Sequence, residues 1–156
     1  MIRLPPPPLA ATVLSRLMAA TLARHPDILR RMGPEAGKRI LIDTTDLPAL
    51  ILIEPGAGRV TLHRRPPPHD AAIRGKLAAF LSMLHGLEDG DALFFSGALE
   101  ISGDTAAVVA LRNALDDAEI DLAAEIAALT HLPPPALHRV AATLGPRLGL
   151  SLHRSP

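Results

Sequence analysis

Apolar positions between residues 9 and 23 recur at helical spacing. Val13, Leu14, Leu17, Met18 and Leu22 form a wide stripe, with Ser15, Arg16 and Ala19 opposite. That period predicts an amphipathic helix. Pro26 suits the first turn of a second short helix over Asp27–Met32, which stops at Gly33-Pro34. The period then switches to that of strands. RILIDTTD (39–46), ALILIEP (49–55) and RVTLHR (59–64) are short and β-branched, and turn residues separate them. They predict a three-stranded antiparallel meander. HDAAIRG (69–75) predicts a further strand. KLAAFLSMLHG (76–86) predicts a helix, with Leu77, Phe80, Leu81 and Leu84 on one stripe and Gly86 at its end. LEDGDAL (87–93) reads as an acidic turn, and ALEIS (98–102) alternates as a strand does. Asp104 or Thr105 caps a helix to about residue 117, with Val108, Leu111 and Leu115 on its apolar face. Two more helices are expected over 120–129 and 136–144. Proline runs at 5–8, 66–68 and 133–135 read as stiff connectors. The order α, β-β-β, β-α-β-α, α-α predicts an α+β domain: a mainly antiparallel sheet with helices on one face.

Composition narrows the functional classes. The chain has 156 residues, enough for a single domain with a real core. Apolar residues make up 48%, but aromatics only 2%, so any groove is aliphatic and offers little base stacking. Net charge is zero, with an acidic middle between basic ends, which is not a nucleic-acid surface. The basic ends, with the helix at 9–23 and the stretch at 136–148, are candidates for contact with an anionic membrane surface. The absence of cysteine excludes disulfides and cysteine-ligated zinc or iron–sulfur sites in this chain. Prolines at 5–8 interrupt any signal-peptide core, and no stretch is long and apolar enough for a membrane span. The chain therefore reads as cytoplasmic.

Motifs for chemistry are weak. Ser-Gly-Asp-Thr at 102–105 lacks both the phosphate-loop pattern and the nucleophile-elbow pattern, and Asp104 as a helix cap explains it. Gly56-Ala57-Gly58 is a hairpin turn rather than part of a dinucleotide fingerprint, because no helix follows. Among the seven histidines no pair has helical metal-site spacing; His63 and His69 flank the central proline run. The acidic groups Asp43/Asp46, Glu88/Asp89/Asp91 and Asp116/Asp117/Glu119 fall in turns and helix ends, so none is nominated as a general acid or base. What remains is apolar surface, which suits a core and a lipid pocket equally well.

The run LFFSGALEISGDTAAVVALRNALDDAE (93–119) resembles the C-terminal half of the sterol-carrier-protein type 2 domain. It is similar in particular to the bacterial branch that serves as an accessory factor in oxygen-independent ubiquinone biosynthesis. The matching elements are Phe94-Phe95, Leu99-Glu100-Ile101-x-Gly103-Asp104-Thr105, and Asn113-x-Leu115-Asp116-x-x-Glu119. Asp70-Ala-Ala-Ile73-Arg-Gly75 and the helix after it fit the family's strand-then-helix unit. Ser96-Gly97-Ala98 and the proline run at 66–68 depart from the family pattern.

The resemblance implies a five-stranded sheet covered by helices around an apolar tunnel, in one domain over 1–156. N-terminal helices occupy 1–36, the lipid-binding core 37–119 and C-terminal helices 120–156. It implies a non-catalytic carrier, without a cofactor, of ubiquinone or its polyprenylated precursors. The implied partners are iron–sulfur hydroxylases and other ubiquinone-pathway enzymes, and the implied place is the cytoplasm with peripheral contact at the inner membrane. The lining candidates are Phe80, Leu81, Leu84, Phe94, Phe95, Leu99, Ile101, Val108, Leu111 and Leu115, with the Phe pair in the tunnel wall or at its mouth. The alternatives are a generic lipid or sterol-like carrier, and a non-lipid interaction module on the same fold.

Overall fold

Two helices lead into the sheet. In the computed structural model α1 spans Ala10–Arg24 and α2 spans Asp27–Met32, where the sequence periods place them. The structure describes residues 10–47, 49–84, 90–120 and 124–125. The helix expected at 136–144, most of that at 120–129, and the proline runs at 5–8 and 133–135 lie outside these residues.

Strands β1 (Ile40–Thr44), β2 (Leu50–Glu54) and β3 (Arg59–His63) form the expected antiparallel meander. β4 (Ala71–Gly75) then pairs with β1 in parallel, Ile40 opposite Ala71, and β5 (Leu99–Gly103) closes antiparallel on β4. The strand order is β3-β2-β1-β4-β5.

That order gives the central proline run a mechanical role. β3 and β4 run in the same direction, three strand spacings apart, about 14 Å. The chain must also return from the level of His63 to that of Ala71, roughly 10 Å along the strands. Residues 64–70 make the passage with no helix, although parallel crossovers commonly take a dozen or more residues. A link of seven residues covers that distance without a helix in polyproline-like backbone of about 3.1 Å per residue, a conformation that prolines favour.

Asp70 anchors the far end of the crossover. Its carboxylate accepts from the Arg39 N–H at 2.7 Å, and its carbonyl accepts from the Asp104 N–H at 2.9 Å. The contact with Asp104 requires Gly103, whose φ is +78° and where a Cβ would lie 2.5 Å from the Asp70 oxygen. Asp104 in turn caps α5 (Thr105–Ala118), its side chain accepting from the Ala107 N–H at 3.3 Å.

Two helices lie between β4 and β5. α3 (Leu77–Leu84) is the expected one, and the Asp46 carboxylate accepts from its Leu77 N–H. The other, α4 (Gly90–Phe95), occupies part of the stretch read as an acidic turn. Six residues are too few to display a helical period, and Gly90-Asp91 looks like a turn from sequence.

The sheet is apolar on both faces. Ile40, Ala71, Ile73 and Leu99 pack against Ile28 and Met32 of α2 and Ala107, Val108, Leu111 and Ala114 of α5. Leu41, Leu50 and Leu52 form a second buried cluster on the other face. The unbroken run Leu50-Ile51-Leu52-Ile53 thus serves both sides, as continuous apolar strands do.

Glu54 ties the meander together at the end of β2. The Arg59 guanidinium donates to it at 2.7 and 3.2 Å, and Arg39 lies 3.3 Å away. The hydrogen bond from Arg59, aided by the charges of Arg59 and Arg39, holds the Glu54 carboxyl below its ordinary range. A carboxyl lowered on folding stabilises the fold above its unfolded pKa of about 4.3, and the effect vanishes as pH falls through the lowered value. Glu54→Gln should therefore melt below the parent protein at pH 7, and the two melting temperatures should converge on acidification below about pH 4. Gly103→Ala should lose roughly 1–3 kcal/mol in denaturant unfolding, because the left-handed φ and the Asp70 oxygen both oppose a Cβ.

Candidate functional site

α1 is fastened to the open edge of the sheet by one hydroxyl. Ser15 Oγ donates to the Val60 carbonyl at 2.7 Å and accepts from the Val60 N–H at 2.9 Å. Val60 lies on β3, an edge strand, whose outward backbone groups need partners. Ser15 therefore stands in for a sixth strand at this point. It sits on the flank of the apolar stripe, not opposite it as the sequence period suggests.

Beneath α1 is a cavity of about 310 Å³. Leu14, Leu17, Met18 and Leu22 of α1 form one wall, so most of the stripe expected to meet a membrane is turned inward; Val13 remains 54% exposed. Ile51 and Ile53 of β2, Pro55 and Val60 form the floor. Leu111 and Leu115 of α5 oppose α1, with Ile28, Leu84 and Ile120 completing the apolar lining. No aromatic side chain is among them. Its volume is at the low end of the roughly 300–1,000 Å³ common for ligand sites. A wider depression of about 530 Å³ around Arg74, Lys76, Gly97 and Glu100 has a charged rim and lacks such a lining.

Among the described residues that line it, two are polar, Thr21 and Glu125. The Glu125 side chain is 4% exposed and is clasped from α1 and the turn after it. Thr21 Oγ1 and Arg24 Nη1 donate to its Oε2 at 3.3 and 3.0 Å, and His25 Nε2 lies 2.9 Å from its Oε1.

The ten lining candidates divide three ways. Leu84, Leu111 and Leu115 line the cavity. Leu81, Leu99 and Val108 are buried in the core away from it, and Phe80, Phe94 and Ile101 are half-buried against the core. Phe95 is 93% exposed at the end of α4. Helix geometry separates the Phe pair: with Leu93 inward, Phe95 lies about 200° further round and points out. The sequence reading missed the α1 wall, the β2–β3 floor and Glu125. Its signal for the first was the stripe at 14, 17, 18 and 22, assigned to another surface.

Other titratable groups are occupied structurally. Asp91 pairs with Arg112 at 2.5 Å and Asp117 with Arg31 at 2.7 Å. His63 contacts Thr61 Oγ1 at 2.8 Å, and His69 donates to the Pro67 carbonyl. No group of three or more metal-ligating side chains occurs among the described residues. No helix among them is long and apolar enough to cross a membrane.

The five-stranded sheet with its covering helices has counterparts among known proteins. The model of the SCP-2 sterol transfer family matches residues 18–116, more than half of the chain. The chain belongs to the SCP-2 sterol transfer family. Its match starts inside α1 and ends inside α5, so it takes in Leu111 and Leu115 of the α5 wall and Met18 and Leu22 of the α1 wall, while Leu14 and Leu17 precede it. Among solved structures, the fold is similar to a UbiJ-SCP2 ubiquinone synthesis protein (20% identity, TM-score 0.61, covering 74% of this chain and 96% of that one). It is also similar to sterol carrier protein 2 from Yarrowia lipolytica in its apo form (14% identity, TM-score 0.51, 74% and 97% covered). A third similar structure is sterol carrier protein domain 2 of Helicoverpa armigera (13% identity, TM-score 0.51, 73% and 93% covered). No curated protein sequence matches the chain.

Replacing Ser15 with Ala leaves the Val60 N–H and carbonyl without their side-chain partner. We expect a loss of about 1–3 kcal/mol in unfolding free energy and faster hydrogen exchange at the Val60 amide, with amides of β4 unaffected.

Proposed function

We propose that this chain is a non-catalytic lipid-binding accessory protein of ubiquinone synthesis. It holds ubiquinone or a polyprenylated precursor in the cavity under α1. The observation that carries the reading is the cavity itself, walled by aliphatic side chains from α1, α5, β2 and β3. The quinone assignment is supported by the fold shared with a ubiquinone synthesis protein and by the motif run at 93–119. The oxygen-independent route and its iron–sulfur hydroxylases as partners rest on that motif run.

The magnitudes fit a tail-binding site. At about 30 Å³ per water-sized group, the cavity takes roughly ten methylene-sized groups. Burying them contributes about 8 kcal/mol, at about 0.8 kcal/mol each, before the costs of association. The remainder of a long polyprenyl chain extends past the enclosed volume.

Mass spectrometry of an organic extract from gently purified protein tests the reading. A stoichiometric polyprenyl phenol or quinone is the expected result. Phospholipid or fatty acid alone would keep lipid binding and remove the quinone assignment. Leu17→Trp, which places an indole in the cavity wall, should reduce co-purified lipid several-fold while the protein stays folded. Undiminished lipid in that variant would move the binding site elsewhere.

A further inference from the structure

The face of the sheet turned away from the cavity is buried too. Leu41, Leu50 and Leu52 are 3%, 4% and 1% exposed within a single copy of the chain. Leu41 and Leu52 stand opposite each other in the β1–β2 pairing, and Leu50 lies two residues along β2 on the same side. The partly buried apolar residue packed against them among the described residues is Ala72, which stands opposite Leu41 on β4 and is itself part of the sheet. Neighbours on a pleated face wall a leucine in but do not roof it, so burial this complete requires a layer on top. α2 and α5 pack on the opposite face, with Ile40, Ala71, Ile73 and Leu99, and residues of α3 and α4 join that cluster. α1 is fastened at the edge, on β3.

We propose that this face is the docking surface for the chain's own segment 132–152, which lays an apolar stripe across Leu41, Leu50 and Leu52. Within that segment Leu137, Val140, Ala141, Leu144 and Leu148 recur at intervals of three and four, the period of a helix with one apolar side. The surface is one helix wide: from Ala72 to Leu52 is two strand spacings, about 10 Å, close to the diameter of a helix. Ion pairs bound it at both ends on the same face, Glu54 with Arg39 and Arg59, and Asp43 with Arg74 at 3.8 Å. The segment can reach it. Glu125 is tied to the end of α1, and residues 126–135 span up to about 33 Å, against a sheet about 19 Å across. Residues 1–9 fit less well, because Pro5–Pro8 separate Leu4 from Leu9 and bar a helical stripe. The family match ends at residue 116, so the docked segment lies outside the residues that the family model covers. The stretch at 136–148 then turns its apolar side to the sheet rather than to a membrane.

The chain has no cysteine, so single cysteines introduced into the full chain each report one position by their rate of maleimide labelling. Val140→Cys and Leu144→Cys should label about tenfold or more slowly than Arg139→Cys and Ala142→Cys, which fall on the other side of the same helical period. Adding Leu52→Ala should speed labelling at 140 and 144 several-fold, while Leu99→Cys, in the core of the opposite face, stays slow. Should Leu52→Ala also speed Leu99→Cys, the fold as a whole has loosened, and Leu50→Ala, at the start of β2, replaces it. Equal rates at 139, 140, 142 and 144 overturn the proposal, as do slow rates at 140 and 144 that neither face variant relieves. Two other results also overturn it. Labelling at 140 and 144 that slows only when vesicles of phosphatidylglycerol and phosphatidylethanolamine are added assigns the stripe to a membrane. Slow labelling of Ile2→Cys and Leu4→Cys that the face variants relieve assigns the sheet face to residues 1–9.

Discussion

The cavity exists because α1 is pinned beside the sheet rather than laid across it. The pin is the Ser15 hydroxyl, which meets both outward backbone groups of Val60 on the edge strand. An edge strand with free backbone groups invites another strand, and satisfying one residue of it with a side chain blunts that tendency locally. The same bond fixes the distance between α1 and β3. With that distance set, Leu14, Leu17, Met18 and Leu22 reach toward α5 without closing on it. A helix free to settle by apolar packing alone would sink until the gap closed, because protein interiors fill to crystal-like density.

Composition keeps the gap open once the pin has set it. α2 and α5 sit close to the sheet through small and branched residues, among them Ala107, Ala114 and Val108. The space beyond them, under α1, is edged mainly by Ile, Leu, Met and Val, with no phenylalanine to bridge it. Of the chain's three phenylalanines, two pack against the core and one faces solvent. Aliphatic chains change rotamer at little cost, and a thioether such as Met18 adapts readily to an irregular partner. Such walls suit a flexible branched tail better than a rigid fused-ring ligand, which gains from flat aromatic surfaces.

Local order was legible in the sequence, and long-range order was not. The meander, β4, β5 and the α5 cap follow from period, from β-branching and from Pro and Gly punctuation, all of which act within a few residues. The parallel pairing of β1 with β4 joins residues about thirty apart, and no local pattern announces it. Glu125 meets Thr21, Arg24 and His25 across roughly a hundred residues, so an isolated glutamate in a helical stretch carried no signal. Phe94 and Phe95 misled by their rarity: aromatics seem reserved for a site, yet helix geometry sends one into the flank of the core and the other to solvent. The α1 stripe was visible, but its partner was not, because a stripe facing a cavity and one facing a membrane have the same spacing.

An apolar cavity of this kind rewards buried surface rather than the identity of the group that buries it. Thirteen of the fifteen described residues that line it are apolar, and such walls favour any tail in proportion to the surface it buries. They distinguish a polyprenyl chain from an acyl chain weakly, since each methylene counts alike. The Glu125 carboxylate stands apart from that lining: Thr21 and Arg24 donate to it and His25 lies against it, so the acid is tied to α1 and the turn after it rather than left without partners in an apolar wall. A buried carboxylate stays in such a wall only when its partners are held with it, which makes α1 and residue 125 depend on one another.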